Sequence, residues 1–378
     1  MKTAKLGDIM LERGGSLHPA RFPDEEFELY SIPAHDKGGP EVVVGAAIGS
    51  SKQIVQPGDV MISKIIPHIR RARVVAPANG RRQIASGEWI VFRGDAFVPN
   101  YLRHFLLSDD FHRNFMNTVA GVGGSLVRAR PAQVREISLP LPPIDEQRRI
   151  AAILDRADAI RAKRRQVLAH LDSLVAALFQ ARFGSLAATT ELQDVCVKIT
   201  DGTHQPPEWT DGGVPFLFVS NITSGEIDLR TKKFISFETW ATLTRRSPIE
   251  VGDVLYSTVG SFGIPALVST TEPFAFQRHI AHIKPDKTQI DPVFLAAQMA
   301  SPALKRQASG VARGVAQPTV NLGDIRKFKI VTPPLAEQRS FADMVERVRA
   351  HRIAIKSASR RYDELFASLQ SRAFRGEM

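Results

Sequence analysis

Leu141-Pro142-Pro143-Ile144-Asp145-Glu146-Gln147-Arg148 returns as Thr332-Pro333-Pro334-Leu335-Ala336-Glu337-Gln338-Arg339, an offset of 191 residues. Self-similarity at a fixed period marks an architecture written more than once. Working outward, Pro57-Gly58-Asp59-Val60-Met61-Ile62-Ser63 has its counterpart in Val251-Gly252-Asp253-Val254-Leu255-Tyr256-Ser257, at an offset of 194. Near the starts, Leu6-Gly7-Asp8-Ile9 matches Leu192-Gln193-Asp194-Val195, and His18 falls opposite His204, at an offset of 186. Matches in one order at a nearly constant offset imply a duplication.

Each copy opens with short Val-, Ile- and Phe-rich runs punctuated by Gly, Pro, Asn and Asp, the signature of strands and turns, and a Pro-Pro closes it. This places globular domains at 1–143 and 184–334. The stretch after each Pro-Pro has another period. Ile150, Ile153, Ala157, Ile160, Leu168, Leu171, Leu174 and Leu178 recur at steps of three and four, with Arg164 where one more apolar residue is due. Phe341, Met344, Val348, Ile355, Tyr362, Phe366 and Leu369 repeat the seam less cleanly. These stretches, 144–183 and 335–378, are expected as helices about 55 Å long. Glu146 and Glu337 fall in the first turn, where a carboxylate suits the exposed N–H groups, and Gly184 and Gly376 suit C-terminal stops.

A helix with one narrow apolar seam needs a partner, and its own repeat is the nearest. The expected fold is α+β: two mixed, strand-rich globular domains separated by two long antiparallel coiled-coil helices, with a pseudo-two-fold internal repeat. Parallel pairing is the alternative, with the second globule serving as the connection back along the rod.

Composition bounds the function. At 378 residues and 43% hydrophobic composition, two or more cores are expected. Fifty Lys and Arg against 39 Asp and Glu leave a charge of +11, which favours a polyanion such as nucleic acid. Cys196 is the one cysteine, so neither an intrachain disulfide nor a Cys-based zinc site can form. The amino terminus lacks a signal-peptide core, and no run of about 18 apolar residues occurs, so a cytoplasmic chain without a membrane role is expected.

Two similar but unlike basic globules suit a duplex read as two different half-sites, with the helices governing the unread gap. The residues also resemble a known family. Thr200-Asp201-Gly202-Thr203-His204-Gln205-Pro206-Pro207-Glu208-Trp209, with Gly213-Val214-Pro215-Phe216-Leu217 and Asn221-Ile222, resembles the start of a target recognition domain of type I restriction-modification specificity subunits. Val251–Leu255 and Gly314-Val315-Ala316-Gln317-Pro318 resemble its later motifs, and Pro-Pro-x-x-Glu-Gln-Arg the opening of the family's spacer helix. The first copy departs, with Gly15-Ser16-Leu17-His18 in place of Asp201-Gly202-Thr203-His204 and no Gln-Pro. The resemblance implies double-stranded DNA as ligand, two adenine-N6 methyltransferase subunits as partners, and restriction subunits joining them. It implies S-adenosylmethionine in the methyltransferases, ATP and magnesium in the restriction subunits, and no cofactor or metal in this chain.

Catalytic signatures are missing from the sequence. An adenine methyltransferase needs Asn or Asp before Pro-Pro and an aromatic residue; Gln205-Pro206-Pro207-Glu208-Trp209 differs at both critical positions. Gly121-Val122-Gly123-Gly124-Ser125-Leu126 is a partial dinucleotide loop without its third glycine. Neither Gly-Lys-Ser/Thr nor His-Glu-x-x-His occurs, and Asp24-Glu25-Glu26 and Pro285-Asp286-Lys287 lack a Glu-x-Lys partner for nuclease chemistry. A non-catalytic chain is expected. Its rivals are a scaffold binding DNA without sequence preference, an enzyme of unrecognised type, and service in a methylation-only system.

Basic residues near turn signals are the candidate DNA contacts, since loops on a rigid scaffold can enter a groove. In the first copy these are Lys64, His68, Arg70, Arg71, Arg73, Arg81, Arg82, Arg128 and Arg130. In the second they are Thr203, His204, Lys232, Lys233, Arg245, Arg246, Arg278, His279, Arg313 and Gln317. Most should hold phosphates, while an Arg can bridge guanine O6 and N7 and Gln317 adenine N6 and N7. Arg161, Lys163, Arg164 and Arg165 fit an exposed helix face or a subunit-docking surface.

Overall fold

The computed structural model describes residues 2–12, 14–120, 127–314 and 316–378. The Gly121–Leu126 glycine motif lies outside the described residues, as does Val315 of the Gly314–Pro318 motif. Packing divides the chain into two compact units, Met1–Arg165 with Ser357–Met378, and Gln166–Lys356. Each unit holds one globular domain and a half of each long helix.

In the first unit, a five-stranded sheet runs in the order Ser16–Leu17, Lys52–Ile54, Arg82–Ala85, Glu26–Tyr30, Glu41–Val44. Glu26–Tyr30 and Arg82–Ala85 are parallel; the other pairs are antiparallel. A second sheet sets Val60–Ser63 between Ala72–Val74 and Trp89–Phe92. All four residues of Val60–Ser63 are buried, which is why this run shows no alternation. Helices Pro99–Leu106 and Asp109–Met116 cover it, and Thr3–Lys5 pairs with Ser138–Pro140 to tie the ends of the domain together.

The second unit builds the same parts. Val214–Leu217 pairs in parallel with Ala275–Phe276 and antiparallel with Phe234–Ile235. Val254–Ser257 lies between Pro265–Leu267 and Ile280–Pro285, and Cys196–Asp201 adds a fourth strand beyond Ile280–Pro285. Helices Pro292–Met299 and Pro302–Val311 come next, and Thr190–Glu191 closes on Lys329–Ile330.

Local chemistry explains why these segments recur. Gly58 and Gly252 adopt φ of +87° and +99°, which glycine takes at little cost, and the next residue, Asp59 or Asp253, accepts a hydrogen bond from the N–H of Gln56 or Glu250 at 2.8 Å. That turn launches the central strand in each domain. Pro99 and Pro292 occupy the first turns of equivalent helices, and Ser108 and Ser301 cap the next helix in each domain.

The two long helices span Ile144–Phe183 and Leu335–Arg375. Within the first unit Arg161 meets Asp363 at 2.6 Å, and within the second Asp172 meets Arg352 at 2.5 Å and Arg182 meets Ser340 at 3.4 Å. Rising numbers on one helix meet falling numbers on the other, so pairing is antiparallel in both units, and the parallel alternative is set aside. The seam differs from the expected one. Leu154, outside the periodic set, is fully buried, while Ile160 and Leu174, inside it, are more than a third exposed. Two helices alone cover one side of each other; deep burial comes where a globular domain adds a second surface. Ile150, Leu154 and Phe374 meet such a surface in the first unit, and Phe179, Phe183 and Phe341 in the second. Arg164, the interruption in the seam, lays its guanidinium 3.9 Å from the centre of the Tyr362 ring, and Arg161 stacks similarly on Phe366 at 4.3 Å. Lys163 and Arg165 are exposed.

The glutamines of the repeated motif carry the junction. Gln147 is buried, donates to Ala96 O at 3.2 Å and Pro142 O at 2.9 Å, and accepts from Val98 N–H at 2.8 Å. Gln338 repeats this with Gln289 O, Pro333 O and Asp291 N–H. Glu146, by contrast, is paired along the helix surface with Arg149. The motif therefore locks each long helix to the start of its domain's first covering helix.

Candidate nucleic-acid interface

In each domain the central strand delivers its chain into a loop, and backbone bonds stitch that loop to segments distant in sequence. In the second unit Thr203 bridges Gln277, Val259 bridges Thr319, and Arg313 bridges Thr319. Arg278 N–H donates to Thr203 O, Thr258 N–H to His279 O, and Gly260 N–H to Pro318 O, each at 3.0 Å. Six candidates spread over more than a hundred residues of sequence thus share one rim: Thr203, His204, Arg278, His279, Arg313 and Gln317. His204 Nε2 lies 3.0 Å from Asp201, and the largely exposed Arg313 stands 3.9 Å from Asp324. Burial and the adjacent Arg278 push the His279 imidazole below its ordinary pKa. A neutral ring of this kind can both donate and accept a hydrogen bond.

The first unit builds the equivalent rim. Ile65 bridges Arg128, Ile66 N–H donates to Val127 O at 3.0 Å, Lys64 N–H to Glu88 O at 2.9 Å, and Ala129 N–H to Lys64 O at 2.8 Å. Lys64, His68, Arg70, Arg128 and Arg130 belong to it. Arg128 is held by Glu88 through two 3.2 Å contacts, and Arg70 by Leu107 O and Asp109.

Other candidates lie off these rims. Arg71 does not project as the sequence suggested: it is 7% exposed and forms two 2.7 Å hydrogen bonds with Asp36. Its place in the run Arg70-Arg71-Ala72-Arg73 gave no sign of that partner, 35 residues away. Arg73 donates to Gly38 O, Arg81 to Glu26, and Arg82 to Glu25 while stacking on Phe22 at 4.2 Å. The acidic run Asp24-Glu25-Glu26 is thus in part a counter-charge to Arg81 and Arg82. In the second unit Lys233 stacks over the Trp209 ring at 5.0 Å, and Lys232 and Arg245 are exposed. Arg246 lines a cavity of about 400 Å³ with Lys198, Thr200, Thr203, Ser247 and His282.

At the other end of each central strand from its rim sits a buried carboxylate that stands out in the sequence only as part of a repeat. Asp59 takes two hydrogen bonds from Arg93, at 2.7 and 2.6 Å. Asp253 meets His282 Nε2 at 2.7 Å and Lys284 Nζ at 2.9 Å. Burial raises the Asp253 pKa, but hydrogen bonds from His282, Lys284 and the Glu250 N–H outweigh it and hold the carboxyl below its usual range. The repeated Gly-Asp before each central strand was the available signal for both aspartates.

Among the described residues no group of His, Cys, Asp and Glu is arranged to hold a metal ion, and no helix is long and apolar enough to cross a membrane. Two copies of one domain, each presenting a loop rim with cationic side chains beside a long helix, describe a nucleic-acid-specificity architecture. The family described as the type I restriction modification DNA specificity domain matches residues 20–170 and 187–364, and this chain belongs to it, with two target recognition domains.

Relatives agree with that placement. The specificity subunit of the Escherichia coli type I restriction enzyme EcoBI is 26% identical over 281 residues, covering 65% of this chain and 59% of that protein. That of EcoKI, from Escherichia coli strain K12, is 21% identical over 319 residues, covering 77% and 67%. The chain therefore spans about three fifths to two thirds of these relatives. Among solved structures, a chain from a study of complex assembly and conformational transition of the type I R-M system matches with a TM-score of 0.62 at 21% identity, covering 100% of this chain and 98% of that one. The S subunit of a type I system from M. genitalium gives 0.54 at 11% identity, covering 99% and 96%. At these identities the likeness is one of fold.

Proposed function

We propose that this chain reads a bipartite, gapped site in double-stranded DNA, one half-site with each target recognition domain, in the cytoplasm. It docks two adenine-N6 methyltransferase subunits and, in a restricting complex, restriction subunits. The observation that carries the reading is the pair of equivalent rims with different occupants: Lys64, His68 and Arg128 on one, His204, Arg278, Arg313 and Gln317 on the other. A shared frame with exchanged side chains is what two half-sites of different sequence require. S-adenosylmethionine binds the methyltransferases, ATP and magnesium bind the restriction subunits, and this chain supplies base contacts and phosphate anchors.

Co-expression with a candidate adenine methyltransferase followed by methylome sequencing tests the reading. One bipartite adenine motif with a fixed gap is expected. Exchanging residues 184–334 for the domain of another family member should change one half of the motif and preserve the other. Salt-sensitive binding without any sequence preference would instead indicate a scaffold that meets DNA only through its charge.

A further inference from the structure

Ile66 has φ +49°, the one non-glycine residue with positive φ among the described residues. A β-branched side chain disfavours that region, so the surroundings must hold it there. They do so on both sides. Ser63 Oγ donates to Ile65 O at 3.1 Å, Ile66 N–H to Val127 O, and Ile69 N–H closes a turn on Ile66 O at 3.0 Å. Pro67, second in that turn, has the φ such a position favours. Beyond it Arg70 is fastened to Leu107 O and Asp109, and Arg71 to Asp36. Between these pins the loop presents His68 and Ile69, the latter 44% exposed, on the rim of the first domain.

The second domain handles the same point differently. At the offset of the repeat Ile66 corresponds to Gly260, with φ +68°, and Gly260-Ser261-Phe262-Gly263 keeps Phe262 packed against the core. One domain thus offers a rigid turn with an apolar tip, and the other does not. A B-form major groove carries one apolar feature that distinguishes bases, the C5-methyl of thymine.

Resting on the proposed DNA reading, we infer that the Lys64–Arg70 loop is a preorganised base-reading element and that Ile69 is a specificity-determining residue contacting a thymine methyl in the first domain's half-site. Ile66 is the positioning residue that aims it.

The experiment uses the full chain co-expressed with its methyltransferase and duplexes carrying the motif found by methylome sequencing. Each thymine of the half-sites is replaced in turn by deoxyuracil, which lacks only the methyl. Wild type should methylate one such duplex about tenfold more slowly, a loss of the size of one base-edge contact. Ile69→Ala should be slower on the thymine duplex and indifferent to that replacement, with the other half-site unaffected as an internal control of folding. Ile66→Gly should keep the base preference while lowering the rate. If wild type is indifferent to uracil everywhere, or Ile69→Ala stays as sensitive as wild type, the inference falls while the bipartite reading stands. If wild type yields no bipartite motif, both fall.

Discussion

At the scale of single residues, the buried polar side chains decide more than the exposed basic ones. Gln147 satisfies an N–H and two carbonyls at a helix junction, so Gln147→Leu strands three backbone groups. The expected cost is about 1–3 kcal/mol, read as a lower denaturant midpoint at unchanged slope. Asp253 gives a pH signature. Its carboxyl titrates lower in the folded chain than in the unfolded one, so its contribution is complete above the unfolded value of about 4 and is lost as the pH falls through the folded value. Thermal unfolding of the wild type should therefore show an acid slope below about pH 4 that Asp253→Asn reduces. Near neutral pH that variant should lose roughly 3 kcal/mol, since His282 and Lys284 remain buried without their anion.

At the scale of elements, the long helices are amphipathic in sequence yet deeply buried only near the domains they support. The central parts rest on mixed contacts, among them the Arg164–Tyr362 stack. Tyr362→Ala should cost about 0.5–1 kcal/mol, and Arg164→Leu, which restores the apolar period, should cost less than Tyr362→Ala; paired denaturation curves separate the two. The helices and the strand-rich composition were legible because an apolar seam at steps of three and four, and short apolar runs between turn residues, are local properties of the chain. The rims were not. Thr203, Arg278 and Gln317 come together through backbone bonds such as Arg278 N–H to Thr203 O and Gly260 N–H to Pro318 O, which join segments distant in sequence and which local patterns do not encode. Nor does composition separate Arg71, consumed by Asp36, from its neighbour Arg70.

At the scale of the whole chain, the proposed gap between half-sites should depend on helix length. Inserting one heptad into 144–183, with the matching heptad in the second helix, should lengthen the gap and leave both half-sites intact; methylome sequencing reads the result directly. The duplication, the two long helices and the absence of recognisable catalytic motifs were determined by sequence alone, because repeats, periodicity and motif spacing survive without coordinates. Tertiary structure decided the rest: antiparallel pairing, the assignment of half of each helix to each packing unit, and which cations stay on a rim rather than serve a buried carboxylate. Those outcomes depend on partners brought together by folding, such as Arg352 with Asp172 or Arg93 with Asp59, and a charge has no orientation until its counter-charge has a place.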